Sequence, residues 1–498
     1  MKILLCQPPV QDFYTTPDRH YPLGLISLAG YIKDLPVSCK IADFLHANGR
    51  KTIPLPKNFE PIRYLLPYEK SPIKIFHHYY HFGMAWNNIA SFFKRESPDV
   101  IGVSSLFYTY SFEVIKILQL ARTACPQAII VVGGQNVRDG LFSLQEDIPA
   151  DYAIIGEGEI PFRALVEYLL GYRKALSNVP GLINLKDTPF IPKDLQIVAT
   201  PCEKITPDHS LLKSEKYTIG GIPAAMIQTS RGCPYGCGFC TIARTFGKTL
   251  RYRPVSHVLE EIETLIKRGI KAFDFEDDNL TANRDFAMQL LKDIQLQYGD
   301  SLRLYAMNGL STWTLDEILL KNMRQAGFVM VNLSLGTLSQ KALKNSGRQD
   351  THVAFENTAR YAARLGMKVM GYFIAGLPGE RFTDMLETLR FLSRLPLIIG
   401  ISPFYYVPAQ QLTIPHIPSN PRDARLTRFY PSHNEITEEE LITLFRFTRG
   451  INFLKGKMKA NNIDSCRFID LQKMFANDPV VGKILYDFQL SLSWDICA

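Results

Sequence analysis

The chain lacks the features of a membrane protein, a disulfide scaffold or a repeat protein. No uninterrupted apolar run in its 498 residues reaches membrane-spanning length, and no internal repeat or low-complexity tract is visible. Its nine cysteines have no disulfide-like rhythm, which fits a reducing cytoplasm. Residues 1–9 are short, apolar and stopped by prolines, so we interpret them as a first β-strand and not a signal peptide. We therefore expect a cytoplasmic globular protein of two or three domains.

Long blocks of like charge are also missing. The net charge of +8 is spread over the whole chain, so it indicates a mildly basic surface and gives no reason to expect nucleic-acid binding. With 46% hydrophobic and 21% charged residues, the composition is globular and excludes a disordered or fibrous chain.

Three closely spaced cysteines are the most informative feature that is present. Cys233, Cys237 and Cys240 form a CxxxCxxC pattern with no fourth cysteine nearby. Three thiolates can ligate three irons of a four-iron four-sulfur cluster, and the fourth iron then stays open for chemistry. The alternative is a zinc site or a redox pair on Cys237 and Cys240, although no second CxxC or Cys/His pair follows at zinc-finger spacing.

The first part of the chain alternates short apolar runs with helical patterns, which predicts a doubly wound parallel sheet. Strands are predicted at 2–6, 39–43, 100–104, 129–132 and 152–155, and helices at 25–32, 85–94, 112–123 and 160–170. Ligands of such sheets lie at the carboxyl ends of the strands. The loops expected at these ends are rich in glycine and serine.

The second half alternates strand and helix at the spacing of a (βα) barrel. Strands are predicted at 225–229, 272–276, 302–307, 330–335, 368–374 and 400–406, and the cysteines directly follow the first. A Pro-rich segment at 180–207, with Pro189, Pro192 and Pro201 breaking any regular element, predicts a linker that wraps between the two parts. The chain beyond Pro408 is predicted to be helical and charged, and we expect it to close the barrel mouth and set substrate choice.

Together these motifs resemble the cobalamin-dependent radical SAM enzymes. Besides the cysteines, the chain has that family's PLG segment at 22–24, PDVIGVS strand at 98–104, VVGG turn at 131–134 and GEGE turn at 156–159. The resemblance covers about residues 1–410. It implies an α/β fold with an N-terminal Rossmann-like cobalamin-binding domain (1–172), a linker (173–220), a partial (βα)6 radical SAM barrel (221–410) and a small, mainly helical C-terminal region (411–498).

The resemblance also implies which barrel residues contact S-adenosylmethionine (SAM). The backbone of Phe239 would border adenine, Ser334 and Gly336 would lie at the ribose and carboxylate, and Gly376 would pack on adenine. The acidic string Glu276, Asp277 and Asp278 would receive the methionine ammonium or hold a charged substrate; its alternative is a solvated turn that caps the next helix. Leu338 stands where relatives commonly have a glutamate.

On the cobalamin side, the resemblance implies contacts from the glycine-rich loops of the first domain. These residues are Gly24, Leu25, Ser104, Leu106, Phe107, Tyr108, Gly133, Gly134, Gly156, Glu157 and Gly158. The family's DxHxxG motif is absent, because the nearest string, Asp18 to Gly24, is one residue too long. Cobalamin is therefore expected without a histidine ligand, and Leu106, Phe107 or Tyr108 is expected to face the lower side of cobalt; His20 as a ligand is the alternative.

A histidine run at 77–81 suggests a second metal site, because His77 and His81 would share one face of a helix. The alternative is a set of polar aromatic residues at a domain interface, in contact with a substrate or a cofactor. The position just before the helix predicted at 85–94 puts this run at the edge of the first domain.

The implied function is methyl transfer to an unactivated carbon through a 5'-deoxyadenosyl radical and methylcobalamin. The implied cofactors are a [4Fe-4S] cluster, SAM and cobalamin, and the implied partners are a small-molecule, lipid or natural-product substrate and an electron donor such as flavodoxin or ferredoxin. One alternative keeps the cofactors but performs an oxidative cyclisation or rearrangement without methyl transfer. Another is a cobalamin-binding sensor with a decayed barrel, which the intact cysteine trio disfavours.

Overall fold

The computed structural model describes residues 1–15, 20–46, 49–66, 73–144, 146–188, 190–192, 195–349, 351–487 and 493–498. Three residues of the sequence argument, Asp18, Arg19 and Pro189, lie outside these ranges. None of the helices in the described ranges is both long enough and apolar enough to cross a membrane.

The elements of the described ranges alternate in the way that the apolar runs predict. The strands are β1 (Lys2–Gln7), β2 (Val10–Asp12), β3 (Ser38–Asp43), β4 (Arg50–Thr52), β5 (Tyr80–Phe82), β6 (Val100–Ser104), β7 (Ile129–Gly133), β8 (Tyr152–Ile154), β9 (Leu182–Asn184), β10 (Thr218–Ile219), β11 (Ile222–Ile227), β12 (Ser230–Arg231), β13 (Arg251–Tyr252), β14 (Ala272–Phe275), β15 (Arg303–Tyr305), β16 (Leu310–Ser311), β17 (Met330–Gly336), β18 (Lys368–Ala375), β19 (Ile398–Pro403), β20 (Ser465–Arg467) and β21 (Asp495–Cys497). The helices are α1 (Leu23–Tyr31), α2 (Trp86–Glu96), α3 (Ser111–Ala124), α4 (Asn136–Asp139), α5 (Glu159–Leu169), α6 (Ile242–Thr245), α7 (Val255–Lys267), α8 (Arg284–Tyr298), α9 (Glu317–Gln325), α10 (Gln340–Ser346), α11 (His352–Arg364), α12 (Phe382–Ser393), α13 (Glu438–Ala460), α14 (Phe468–Met474) and α15 (Pro479–Asp487).

The first domain is a six-stranded sheet with helices on both faces. Its strand order is β3-β1-β6-β7-β8-β9; the first five strands are parallel, and β9 pairs antiparallel with β8. Leu25 of α1 and Leu165 of α5 pack in one core cluster, whereas Ile89 of α2 and Leu118 of α3 pack in another. The predicted doubly wound fold is confirmed. The order reverses between β1 and β6, and such a switch point is where these sheets bind ligands.

The second domain is an arc of six parallel strands, β11, β14, β15, β17, β18 and β19, each followed by a helix. A parallel bridge between Leu304 and Phe328 joins the two halves of the arc. The sixth helix is α13, whose Asn452 side chain bonds the backbone N–H and C=O of Ile399 at 2.9 and 2.8 Å. The predicted partial barrel is confirmed, and the predicted boundary at 410 falls between β19 and its own helix.

One expectation about the irregular regions is wrong, and the structure adds detail to two others. His81 lies in β5, paired antiparallel with β2 and β4, so His77 and His81 do not share a helix face. The predicted linker contains β9, which extends the first sheet, and β10, which pairs with β11. Residues 409–436 contain 3-10 turns and no α-helix.

This non-helical segment docks on the first domain. The Arg425 side chain is completely buried, and its Nη2 donates to Glu113 Oε1 at 2.9 Å. Thr427 Oγ1 donates to Asp12 Oδ1 at 2.8 Å. Because these partners lie more than 300 positions away along the chain, local sequence patterns could not show the contact.

Candidate functional site

The cysteine loop connects β12 to α6 at the carboxyl end of the barrel. Cys233 and Cys237 are half-buried, Cys240 is exposed, and all three thiols are free. The Cys240 thiol is water-accessible but crowded by protein atoms; this desolvation, followed by smaller effects of Cys237 and Cys233, raises its pKa to about 11. In the described part of the chain, no three His, Cys, Asp or Glu side chains are grouped as a single metal ion would need.

Asp277 and Asp278, after β14, accept hydrogen bonds from the residues that lead into this loop. Asp277 Oδ1 accepts hydrogen bonds from Thr229 Oγ1 at 2.7 Å and Ser230 Oγ at 2.5 Å, and Asp278 Oδ2 accepts one from Gly232 N at 3.0 Å. Burial raises the pKa of both carboxyl groups to about 6.

The solvated-turn alternative for this acidic string is wrong. Asp277 is only 2% exposed, and the side chain of Asn283 caps α8. Direct SAM contacts of Glu276, Asp277 and Asp278 stay a prediction.

Arg348 is a site residue that the sequence did not reveal. Its guanidinium lies 5.8 Å from the Phe239 ring and 5.2 Å from the Trp313 ring, and its Nη2 donates to Ser334 O at 3.1 Å and Ser334 Oγ at 3.3 Å. Its charge counteracts the burial that raises the pKa of Cys233. No motif marks Arg348, because it follows α10 in a loop and only the fold brings it to the cysteines.

The turn after β18 is built around a buried glutamate. Glu380 Oε2 accepts from Gly376 N at 3.0 Å and Leu377 N at 2.9 Å, and Thr337 Oγ1 donates to Glu380 Oε1. Gly376 has φ +88°, a left-handed conformation that favours glycine. A Cβ there would lie 2.9 Å from Ile436 Cδ1, so the non-helical segment covers this turn.

The remaining predicted barrel residues lie around the same mouth. Phe239 packs against the core cluster that contains Leu377, Phe404 and Ile414. Gly336, at the end of β17, has φ +77°. Leu338 packs partly buried against the core.

In the first domain, the loops that follow β6 and β7 pack closely and are hydrogen-bonded to each other. Ser104 and Gly133 are the last residues of these strands, and Gly134 has φ +119° with room for no side chain, because a Cβ would lie 2.4 Å from Ser105 O. Asn136 Nδ2 donates to Ser105 Oγ at 3.0 Å and to Ser111 Oγ at 2.9 Å. Ser105 and Asn136 are two further residues that sequence reasoning missed.

The loop after β6 presents apolar side chains at this edge. Leu106 and Phe107 are 46% and 53% exposed, and the Tyr108 ring lies 6.0 Å from that of Tyr406, just after β19. A flat, partly apolar ligand could rest on Leu106 and Phe107 between the two domains. Their role beside cobalt stays a prediction.

The other predicted residues of the first domain have mixed surroundings. Gly24 lies open in the first turn of α1, with nothing within 4 Å of a Cβ, whereas Leu25 is buried in the core at 6% exposure. The backbone O of His20 accepts from Gln7 Nε2 at 2.9 Å, so this histidine lies beside the end of β1. The alternative of His20 as a cobalt ligand also stays a prediction.

The glycine–glutamate turn after β8 contacts β12, just before the cysteine loop. Arg231 Nη1 lies 2.7 Å from Glu157 Oε2, and its Nη2 lies 2.7 Å from Glu159 Oε1. Gly156 and Gly158 allow the turn to approach its neighbours, since a Cβ would lie 2.4 Å from Ile197 Cγ2 and 2.9 Å from Leu28 Cδ2, respectively. The carboxylate of Glu157, predicted to bind cobalamin, is thus engaged by arginine.

The two candidate sites border the same domain interface. Arg244 of α6 and Asp139 of α4 form an ion pair of 2.8 Å at its rim. The fold and the site define a two-domain enzyme architecture, in which an open cysteine loop on a partial barrel faces the ligand-binding edge of a Rossmann-like domain.

Comparisons with known proteins identify the family. The model of the Radical SAM superfamily matches residues 227–392, and that of the B12 binding domain matches residues 76–166. The chain belongs to the cobalamin-binding radical SAM enzymes.

Named relatives include a methyltransferase and a cyclase. Cytidylyl-2-hydroxyethylphosphonate methyltransferase from Streptomyces wedmorensis is 27% identical over 429 residues, which cover 77% of this chain and 75% of the relative. Anaerobic magnesium-protoporphyrin IX monomethyl ester cyclase from Rubrivivax gelatinosus is 28% identical over 316 residues, covering 59% of this chain and 54% of the relative.

Among solved structures, the radical S-adenosylmethionine methyltransferase TsrM from Kitasatospora setae has a similar fold. The TM-score is 0.59 at 18% identity, over 80% of this chain and 72% of TsrM. At this identity the likeness concerns the fold alone.

Proposed function

We propose that this protein is a cobalamin-dependent radical SAM methyltransferase that methylates an unactivated carbon of a small molecule, lipid or natural product. The observation that carries the proposal is the shared interface: Glu157, in the turn after β8, pairs with Arg231 just before the cysteine loop, and Asp139 of α4, after β7, pairs with Arg244 of α6, just after that loop. A methyl group held on one side and a substrate activated on the other would meet there.

The residues present fit the three cofactors of the family. Three free thiols in one loop suit a [4Fe-4S] cluster with one open iron, and Arg348 beside them is a cation that can pair with a SAM carboxylate. Gly134 has no side chain to keep cobalamin away from the backbone, and the exposed side chains of Leu106 and Phe107 offer it an apolar surface. Bound together, these groups would supply the radical and the methyl group, while the chain's residues hold and orient them.

The first test is cofactor content. After anaerobic purification with iron, sulfide and cobalamin supplied, we expect about one cluster and one cobalamin per chain. Cys237→Ala should lose iron and keep cobalamin, because the thiol lies in the barrel; Cys466→Ala, at a half-buried thiol of the C-terminal region, should keep both. A parent protein that takes up the cluster but no cobalamin would contradict the proposal.

The second candidate function is oxidative cyclisation or rearrangement without methyl transfer. The relative from Rubrivivax gelatinosus, named as a cyclase, favours it. The two functions differ in their SAM products, since a cyclase would form 5'-deoxyadenosine without S-adenosylhomocysteine.

A further inference from the structure

A buried ion cluster joins the first domain to the β12–β13 pair beside the cysteine loop, and we infer that its glutamates are positioning residues. In this account, Glu157 and Glu159 fix the distance between the iron–sulfur cluster and cobalamin. The inference rests on the proposed function, because it needs both cofactors to bind.

The cluster contains two cations and two anions at the domain interface. Besides its contacts with Arg231, Glu157 pairs with Arg251, and the side chains of Arg231, Glu157 and Glu159 are 7%, 2% and 4% exposed. Thr200, completely buried in the predicted linker, completes it: its N–H donates to Glu157 Oε2 at 3.1 Å and its Oγ1 to Glu159 Oε2 at 3.2 Å.

A short backbone segment of restricted conformation connects the ion cluster to each of the two candidate sites. Arg231 is separated from Cys233 only by Gly232, whose φ is +95° and whose Cβ would lie 2.5 Å from Thr249 O. Glu157 and Glu159 flank Gly158, where β8 passes into α5. A shift of either glutamate would therefore move the cysteine loop relative to the first domain.

Buried ion pairs are poor stabilisers, because the loss of hydration offsets their attraction. Their geometric value is higher: the planar guanidinium of Arg231 binds two carboxylates in fixed directions. An error of about 1 Å between reacting groups slows a reaction by about 100-fold, so a two-cofactor reaction needs such a fixed distance.

The test is a magnetic measurement on the holoenzyme. A partly reduced sample with a paramagnetic iron–sulfur cluster and cob(II)alamin should show a resolved spin–spin coupling, which depends on the distance between them. In Glu157→Gln and Glu159→Gln we expect both cofactors to be retained and the resolved coupling to be lost, because the distance becomes distributed. A role in stability alone would lower the unfolding midpoint and leave the coupling resolved.

Two further variants complete the design. Asp139→Asn breaks the exposed ion pair with Arg244 at the same interface and should leave the coupling unchanged, because exposed pairs contribute little. Arg251→Lys keeps the positive charge but removes the planar guanidinium that binds Glu157. Because this side chain is partly exposed, the variant should fold even if the glutamine variants do not, and it should broaden the spin–spin coupling.

A coupling in Arg251→Lys, or in either folded glutamine variant, that is as sharp as in the parent would overturn the inference. A parent without bound cobalamin would instead refute the proposed function, so the two failures are distinguishable.

Discussion

Replacing Asp277 with alanine tests whether the carboxylate after β14 holds the cysteine loop. The change leaves three donors without their acceptor: Thr229 N, Thr229 Oγ1 and Ser230 Oγ. Thr229 and Ser230 are 0% and 2% exposed, and a buried unpaired donor costs about 1–3 kcal/mol. Because the hydroxyls can rotate, we expect Asp277→Ala to lower the free energy of unfolding by about 3–6 kcal/mol in total.

Asp277→Asn keeps one acceptor oxygen and removes the buried charge, so its loss should be smaller, about 1–3 kcal/mol. Asp293→Ala is the matched control: this half-buried carboxylate accepts only local hydrogen bonds from Gln289 of the same helix in the described residues, so we expect a change within about 0.5 kcal/mol. The assay is anaerobic urea denaturation followed by circular dichroism, with iron content measured on the same samples. A change below about 1 kcal/mol in Asp277→Ala, together with full iron content, would refute the reasoning.

Three other predictions follow from the same structure. Gly134→Ala would put a Cβ 2.4 Å from Ser105 O at φ +119°; it should lose about 1–3 kcal/mol of stability and retain less cobalamin, whereas Gly456→Ala, with open space in α13, should lose neither. Arg348→Ala should weaken SAM binding about 10- to 100-fold in calorimetry, as loss of a charged hydrogen bond does; unchanged affinity would remove Arg348 from the site. Burial raises the pKa of Glu380 to about 7, so its contribution to stability is full below about pH 4.3 and lost as the pH rises through 7. Relative to Glu380→Gln, the parent should therefore lose about 3 kcal/mol over that range, and a pH-independent difference between the two would contradict the assignment.

Local sequence patterns predicted the elements in which consecutive residues are apolar and buried. The strand Val100–Ser104 was predicted with both of its ends, because parallel strands covered on both faces are nearly continuous apolar runs. The first barrel strand was predicted to reach Thr229, but it ends at Ile227, and Ser230–Arg231 pairs with Arg251–Tyr252 in a separate hairpin. The alternation of apolar and polar residues along the chain does not show that a strand pairs with a segment about twenty residues away.

The parts of the site that sequence reasoning missed all depend on distant contacts. Arg348 reaches the cysteines only because α10 returns the chain to the barrel mouth, and nothing in its neighbours along the chain marks it. Glu157 was predicted to bind cobalamin from its motif, yet the fold places it on Arg231. A motif indicates that a residue matters, but its contact requires the other half of the molecule.

The most direct measurement of the central claim is the pair of products formed from SAM under strong reduction. With iron, sulfide and cobalamin loaded, we expect S-adenosylhomocysteine as well as 5'-deoxyadenosine, and we expect the former only when cobalamin is present. Formation of 5'-deoxyadenosine alone, with cobalamin bound, would contradict the methyltransferase account and favour the cyclase alternative.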